Sequence, residues 1–162
     1  MKFVEISDKN FRVAIKIVRS CFKSKAYQKE VAWFYKTRMH GDWKKTAYLL
    51  HYFVVYENRK PIGITGLYQL NKGDNEFWMG FFGVIPKERK KGLGRKILEK
   101  TIYMAKKRGC KKFSMWTSGK RAPEFYINHG FKKRRPVKYA VISGEKFYKY
   151  PKNAVFYTKE TE

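Results

Sequence analysis

Carboxylates are scarce in this chain. Its 13 Asp+Glu face 38 Lys+Arg, leaving a formal charge of +25 and a pI near 10.1. A surface so unbalanced costs stability through self-repulsion and promotes salt-sensitive association with phosphates. Lysine supplies 28 of the 38 cations, and an ammonium is a point charge that solvates any surface, so a lysine-biased composition and a polyanionic partner both account for the excess. Cysteine is nearly missing as well. Cys21 and Cys110 are too few and too isolated for a disulfide scaffold or a zinc cluster, and their apolar helix-end settings predict reduced, buried thiols. His40, His51 and His129 stand alone without metal-ligand spacing, so no metal site is expected. No apolar run approaches the ~18 to 20 residues of a membrane-spanning helix. Met1 to Ser7 reads as an amphipathic strand without the apolar stretch of a signal peptide, so a soluble cytoplasmic protein with no membrane partner is expected. Internal repeats and linkers rich in Pro, Gly or Ser are absent. With 43% hydrophobic and 18% aromatic residues in 162 positions, disorder is excluded and one globular domain over residues 1–162 is predicted.

The first half reads as a strand, two helices and a hairpin. Phe3 and Val4 open a strand, Ser7 or Asp8 can cap a helix, and Phe11, Ala14, Ile15, Val18 and Phe22 recur at helical spacing. A second amphipathic stretch runs from Tyr27 to about Arg38. Tyr48–Tyr56 and Ile62–Leu70 are strand-like, and Glu57-Asn58-Arg59-Lys60-Pro61 between them suits a hairpin loop. After the turn at residues 71–75, Phe77–Ile85 is apolar on both faces and predicts a central strand. Leu93, Ile97, Leu98, Thr101, Ile102 and Ala105 then form the stripe of a helix that Gly109 stops. Lys112–Thr117 is a strand expected parallel to the Phe77 strand, because strand, helix and strand in sequence favour a crossover. A short helix over about Ala122–His129 follows, Phe131 onward alternates as a strand through Tyr139 to Ile142, and Ala154–Thr158 is the last strand.

Between the Phe77 strand and the helix lies Arg89-Lys90-Lys91-Gly92-Leu93-Gly94. Glycines let the backbone approach an anion closely, the first amides of a helix lack intrahelical partners, and the macrodipole places positive charge there. The turn lacks the Gly-Lys-Ser/Thr ending of a nucleotide-hydrolysing loop and the Gly-x-Gly-x-x-Gly of a dinucleotide fold, so neither chemistry is favoured. An ordinary tight strand-to-helix turn uses glycine too. A second motif, Ala122-Pro123-Glu124-Phe125-Tyr126-Ile127-Asn128-His129-Gly130-Phe131, stands downstream. Together the two resemble the GNAT family of acyl-CoA-dependent N-acyltransferases: Arg89, Gly92 and Gly94 match its Arg/Gln-x-x-Gly-x-Gly/Ala signature, and Ala122, Tyr126, Gly130 and Phe131 match its second hallmark. One departure is Gly119, where many relatives carry an Asn that helps hold the cofactor.

The resemblance implies an α/β (α+β) fold with a central mixed, mostly antiparallel sheet of about seven strands flanked by about four helices. It also implies acetyl-CoA as co-substrate. Its pyrophosphate would rest on Arg89, Lys90, Lys91, Gly92, Leu93, Gly94 and Arg95, and its pantetheine arm beside Phe82, Gly83 and Val84. Gly80 and Gly83 could mark a bulge that makes room. Tyr126 would protonate the departing thiolate, although it also reads as a core aromatic beside Phe125 and Phe131. Glu76 is the carboxylate placed to act as a base, or a solvated strand-end charge. The acceptor is expected to be a small-molecule, peptide or RNA-linked primary amine. The charge excess and Lys132-Lys133-Arg134-Arg135, placed near the cofactor end of the sheet, admit an aminoacyl-tRNA or ribosome-associated amine. A non-catalytic nucleic-acid-binding protein with this fold is the rival reading. Exposed strand edges allow a homodimer.

Overall fold

The computed structural model describes residues 1–118 and 123–161. The chain runs through β1 (Lys2–Glu5), α1 (Phe11–Cys21), α2 (Lys25–His40), a 3-10 turn at Trp43–Lys45, β2 (Leu49–Glu57) and β3 (Lys60–Gln69). It continues with β4 (Glu76–Met79), β5 (Gly83–Val84), a 3-10 turn at Pro86–Glu88, α3 (Leu93–Lys106), β6 (Lys112–Ser118) and α4 (Pro123–Asn128). The last elements are β7 (Lys132–Arg134), β8 (Tyr139–Ile142), β9 (Glu145–Lys149) and β10 (Ala154–Glu160). Eight strands form one sheet in the order β1-β2-β3-β4-β6-β10-β7, with β5 also on β3, while β8 and β9 make a separate hairpin. Among the described residues only β4 and β6 pair in parallel. The sheet is therefore mixed and mostly antiparallel, as expected, with one strand more than the about seven predicted. No helix among the described residues is long and apolar enough to cross a membrane.

Strand periodicity explains the layers. Leu50, Tyr52 and Val54 of β2 pack with Ala14 and Val18 of α1 and Val31 and Tyr35 of α2, whereas Phe53 and Val55 pack with Leu98 and Ile97 of α3. Alternate side chains of a strand point to opposite faces, so α1 and α2 cover one face and α3 the other. The predicted α3 stripe is the buried one, with Leu93, Ile97, Leu98, Thr101 and Ala105 all inward. The buried Thr101 hydroxyl lies 2.9 Å from Thr65 Oγ1 and donates to the Ile97 carbonyl at 2.8 Å. Both cysteines are free and buried.

Several local expectations are corrected. The N-cap of α1 is Asn10, not Ser7 or Asp8; the Asn10 side chain accepts from Ser7 N and donates to Glu5 O, both at 2.9 Å, fastening β1 to the helix. Phe77–Ile85 is not one strand. Leu67 pairs with Met79 and Ile64 with Gly83, so three steps along β3 face four on the partner. The extra residue is a bulge over 80–82, pinned where Gly80 N donates to Gly66 O at 2.8 Å. The run from Phe131 to Ile142 divides into β7 and β8 around Pro136, which has no N–H to donate to a ladder. Ser143 and Gly144, both at positive φ, form the turn between β8 and β9.

Candidate active site

The site follows from where β4 and β6 stop pairing. Their parallel ladder runs from Glu76–Lys112 to Trp78–Ser114. Beyond it the bulge carries the chain into β5 on β3, while β6 continues to Ser118 paired only with β10. The strands part, and a cleft of about 1900 Å³ opens, lined by residues 79–84 on one side and Met115–Ser118 on the other. That exceeds the ~300–1,000 Å³ of an ordinary small-ligand pocket, so two reactants can meet in it. Two glycines permit the parting. A Cβ on Gly63 would sit 2.5 Å from Gly83 O, and one on Gly83 would sit 3.0 Å from Cys21 Sγ, so β5 fits between β3 and the end of α1 only because both lack side chains.

The glycine turn forms one mouth of this cleft. Lys90 has φ 61° and Gly92 φ 74°, left-handed conformations that turn successive amides toward a common concave side. Gly92 is the N-cap of α3 with no side-chain cap, and Lys96 N is the first amide bonded back to it, at 3.2 Å. Among the described residues, the amides of residues 90–95 have no protein acceptor. A row of free amides at a helix N-terminus fits an anion such as a pyrophosphate. The cations nearby are partly engaged: Arg89 Nε donates to Val84 O at 2.9 Å, Lys91 pairs with Glu88 at 2.9 Å and Arg95 with Glu99 at 2.7 Å.

Tyr126, on α4, sits where the parted strands meet the opposite wall. It is buried, with Phe82, Phe125, Phe131 and Tyr157 around its ring at centroid distances of 5.2–6.5 Å. Burial pushes its phenol well above the ordinary tyrosine range, so the hydroxyl stays protonated and serves as a donor. It also lines the cleft. Core aromatic and cleft hydroxyl are therefore the two ends of one side chain.

Across the cleft from the glycine turn, the sequence reading missed a second polar centre. Ser24 caps α2 by accepting from Tyr27 N at 3.2 Å, and Tyr27, Glu30 and Phe34 then fall at helical spacing on the face lining the cleft. Glu30 Oε1 accepts from the Tyr148 hydroxyl of β9 at 2.9 Å. Burial, and after it the hydrogen bond and charge of Glu30, push the Tyr148 phenol up. Burial likewise pushes the Tyr27 phenol up, reinforced by Glu30, Tyr148 and Tyr126. The only signal for Glu30 in the sequence is the scarcity of carboxylates itself, which makes any acid on an amphipathic helix informative.

Of the residues singled out from sequence, Phe82, Gly83, Val84, Arg89, Lys90, Gly92, Gly94, Arg95 and Tyr126 line the cleft together. Lys91 and Leu93 do not: Lys91 turns to Glu88, and the Leu93 side chain is buried with Val84 and Ile97. Glu76 lies at the closed end of the β4–β6 ladder, outside the cleft, held by Arg134, Ser114 and Lys112. It is a structural carboxylate, and its placement as a base is corrected. None of Lys132–Arg135 lines the cleft; β7 pairs with β10 at Phe156–Thr158, which sets Arg134 two strands from Trp116 of the cleft wall. Gly119 and Ala122 lie outside the described residues. His129 lines the cleft, with Nδ1 2.5 Å from Phe125 O, and His51 Nδ1 lies 2.8 Å from Glu5 Oε1.

Comparison with known proteins accords with this geometry. The model of the acetyltransferase (GNAT) family matches residues 14–131, and the chain belongs to that family. Among solved structures, the PaiA N-acetyltransferase of Thermoplasma acidophilum in complex with coenzyme A superposes with a TM-score of 0.70 at 14% identity, covering 98% of each chain. An acetyltransferase of the GNAT family from Staphylococcus aureus Mu50 gives 0.71 at 17%, covering 99% of each. The ribosomal-protein-S18-alanine N-acetyltransferase of Escherichia coli gives 0.69 at 18%, covering 99% of this chain and 93% of that one. At such identities the likeness establishes the fold. No curated protein matches the sequence.

Proposed function

We propose that this protein is an acetyl-CoA-dependent N-acetyltransferase that passes an acetyl group directly from the thioester to a primary amine. The observation that carries this reading is the meeting of three features in one cleft: the free amides of residues 90–95, the parted strands β5 and β6, and the Tyr126 hydroxyl. The amides and the α3 N-terminus hold the pyrophosphate, with Lys90 adding charge at the mouth. Residues 82–84 supply an extended backbone edge along which a pantetheine arm can lie, and Phe82 packs on Phe125 and Tyr126 behind it. The carrier contributes a thioester whose carbonyl carbon is open to attack. The amine nitrogen forms the new C–N bond, the C–S bond breaks, the thiolate takes a proton from the Tyr126 hydroxyl, and the surplus proton of the nitrogen passes through solvent in the cleft to restore that hydroxyl.

Direct transfer, without an acyl-enzyme, accords with the state of the cleft's thiol. Cys21 lines the cleft, but burial pushes its pKa above the ordinary thiol value, with hydrogen bonding from Ser20 and the charge of Arg89 only partly offsetting that. A protonated thiol packed against Gly83 is a poor nucleophile. Tyr126 faces the opposite situation. A donor held neutral by burial needs only to offer its O–H to a thiolate forming in the same low-dielectric space, where the thiolate's own proton affinity is also raised.

A thermal-shift titration with acetyl-CoA, paired with a thiol-release screen over polyamines, aminoglycosides, peptides and charged tRNA, tests the proposal. Stabilisation by acetyl-CoA together with amine-dependent thiol release is expected. Absence of any shift at low salt would defeat it and leave a binding protein of this fold.

A further inference from the structure

We propose that Glu30, held by Tyr148, receives the ammonium group of the acceptor, and that the acceptor is a single primary ammonium on an apolar or aromatic body. This deepens the acetyl-transfer reading and rests on it for the direction of attack. Among the described residues, Glu30 is the one acidic side chain that lines the cleft. In a protein of charge +25 with only 13 acids, that carboxylate is the feature able to draw a cation into the space. Tyr148 occupies Oε1 at 2.9 Å, and Oε2 has no hydrogen-bond partner among the described residues. A carboxylate fixed through one oxygen and open through the other is set to accept N–H donors from an ammonium.

The walls fit what would carry that ammonium. Tyr27, Tyr68, Trp116 and Tyr150 line the cleft with Glu30, and aromatic faces attract cations and bury apolar bodies together. Tyr148 is held in place by more than its own strand. Asn71, in the turn before β4, donates to Val141 O at 3.0 Å and accepts from Ser143 N at 2.8 Å, tying the β8–β9 turn to the sheet. Trp116 packs 6.3 Å from Tyr148 and 5.6 Å from Tyr150. Tyr27 and Tyr126 line the same cleft as Glu30. The ammonium first gives up a proton to solvent in the open cleft, and the free amine then attacks the thioester beside Tyr126. A polyamine is poorly matched, since one carboxylate neutralises one charge and the remaining ammonium groups stay in a strongly positive field.

Calorimetric titration of phenethylamine into the full chain, without acetyl-CoA, tests this. Binding to the unaltered protein is expected, with Glu30→Gln weakening it about tenfold or more and Tyr148→Phe about threefold, as for a hydrogen-bonded charge and its neutral partner. In turnover with acetyl-CoA the loss should fall on the KM for the amine, with kcat changed far less, and both variants should bind acetyl-CoA as the unaltered protein does. Spermidine should bind no tighter than phenethylamine. Failure of the unaltered chain to bind phenethylamine, equal binding by Glu30→Gln, or tenfold tighter binding of spermidine would each overturn the assignment. Should Glu30→Gln not fold, Tyr148→Phe decides alone. If phenethylamine binds through Glu30 while acetyl-CoA does not bind at all, the ammonium site stands and the acetyl-transfer reading falls.

Discussion

At Gly92, backbone strain and charge can be separated. The residue is exposed, has φ 74°, and a Cβ built on it meets nothing within 4 Å. Gly92→Ala therefore adds only the cost of holding an L-residue in a left-handed conformation, about 1–2 kcal/mol. For a chain of this size that lowers the melting temperature by about 2–8 °C. The strain is present with and without ligand, so it cancels in binding, and acetyl-CoA affinity should stay within about twofold. Gly92→Glu carries the same strain plus a carboxylate beside the pyrophosphate. Two negative charges at about 6 Å in a water-like dielectric repel it by about 0.7 kcal/mol each, roughly a tenfold loss of affinity. Isothermal titration of both variants at low salt should show that tenfold gap. Raising the salt from about 0.1 M to about 1 M shortens the screening length from about 10 Å to about 3 Å and should close most of it. Equal affinities for the two variants, or a gap indifferent to salt, would refute the phosphate cradle.

Tyr126→Phe should leave acetyl-CoA binding and the melting temperature nearly unchanged and lower kcat about 100-fold, as expected for loss of a general acid, measured by thiol release. Gly63→Ala forces a Cβ to within 2.5 Å of Gly83 O, so overpacking should destabilise the fold by about 1–3 kcal/mol in urea unfolding and weaken acetyl-CoA by displacing β5. Burial pushes the Glu5 carboxyl up, but His51 and Arg38 outweigh it and hold the group below the usual carboxylate range. A depressed folded pKa contributes stability above the unfolded value of about 4.3 and loses it as pH falls through the folded value. Thermal melts of Glu5→Gln should accordingly be flatter than those of the unaltered chain below about pH 4.5; parallel curves would remove Glu5 from the acid response.

What could be read from the chain was what is local. The α3 stripe, the glycine turn and α4 each occupy a short window in which period or motif suffices. The break in Phe77–Ile85 was illegible because the run is apolar on both faces, and its bulge depends on Gly63 and Gly66 of another strand. Glu76 looked free because nothing near it in sequence shows that Arg134, 58 residues on, folds back to it. Glu30 escaped notice for the same reason, since its partner Tyr148 lies 118 residues away.

That last separation has a consequence for how the protein comes into being. The phosphate turn and α3 belong to a compact central segment, whereas Glu30 and Tyr148 join the first and last quarters of the chain. Contacts between distant segments carry the largest loop-closure cost and tend to form late. The Glu30–Tyr148 contact is therefore expected among the last parts of the cleft to form. Only the finished molecule would be able to choose its amine, so selectivity in this protein reports on completed assembly.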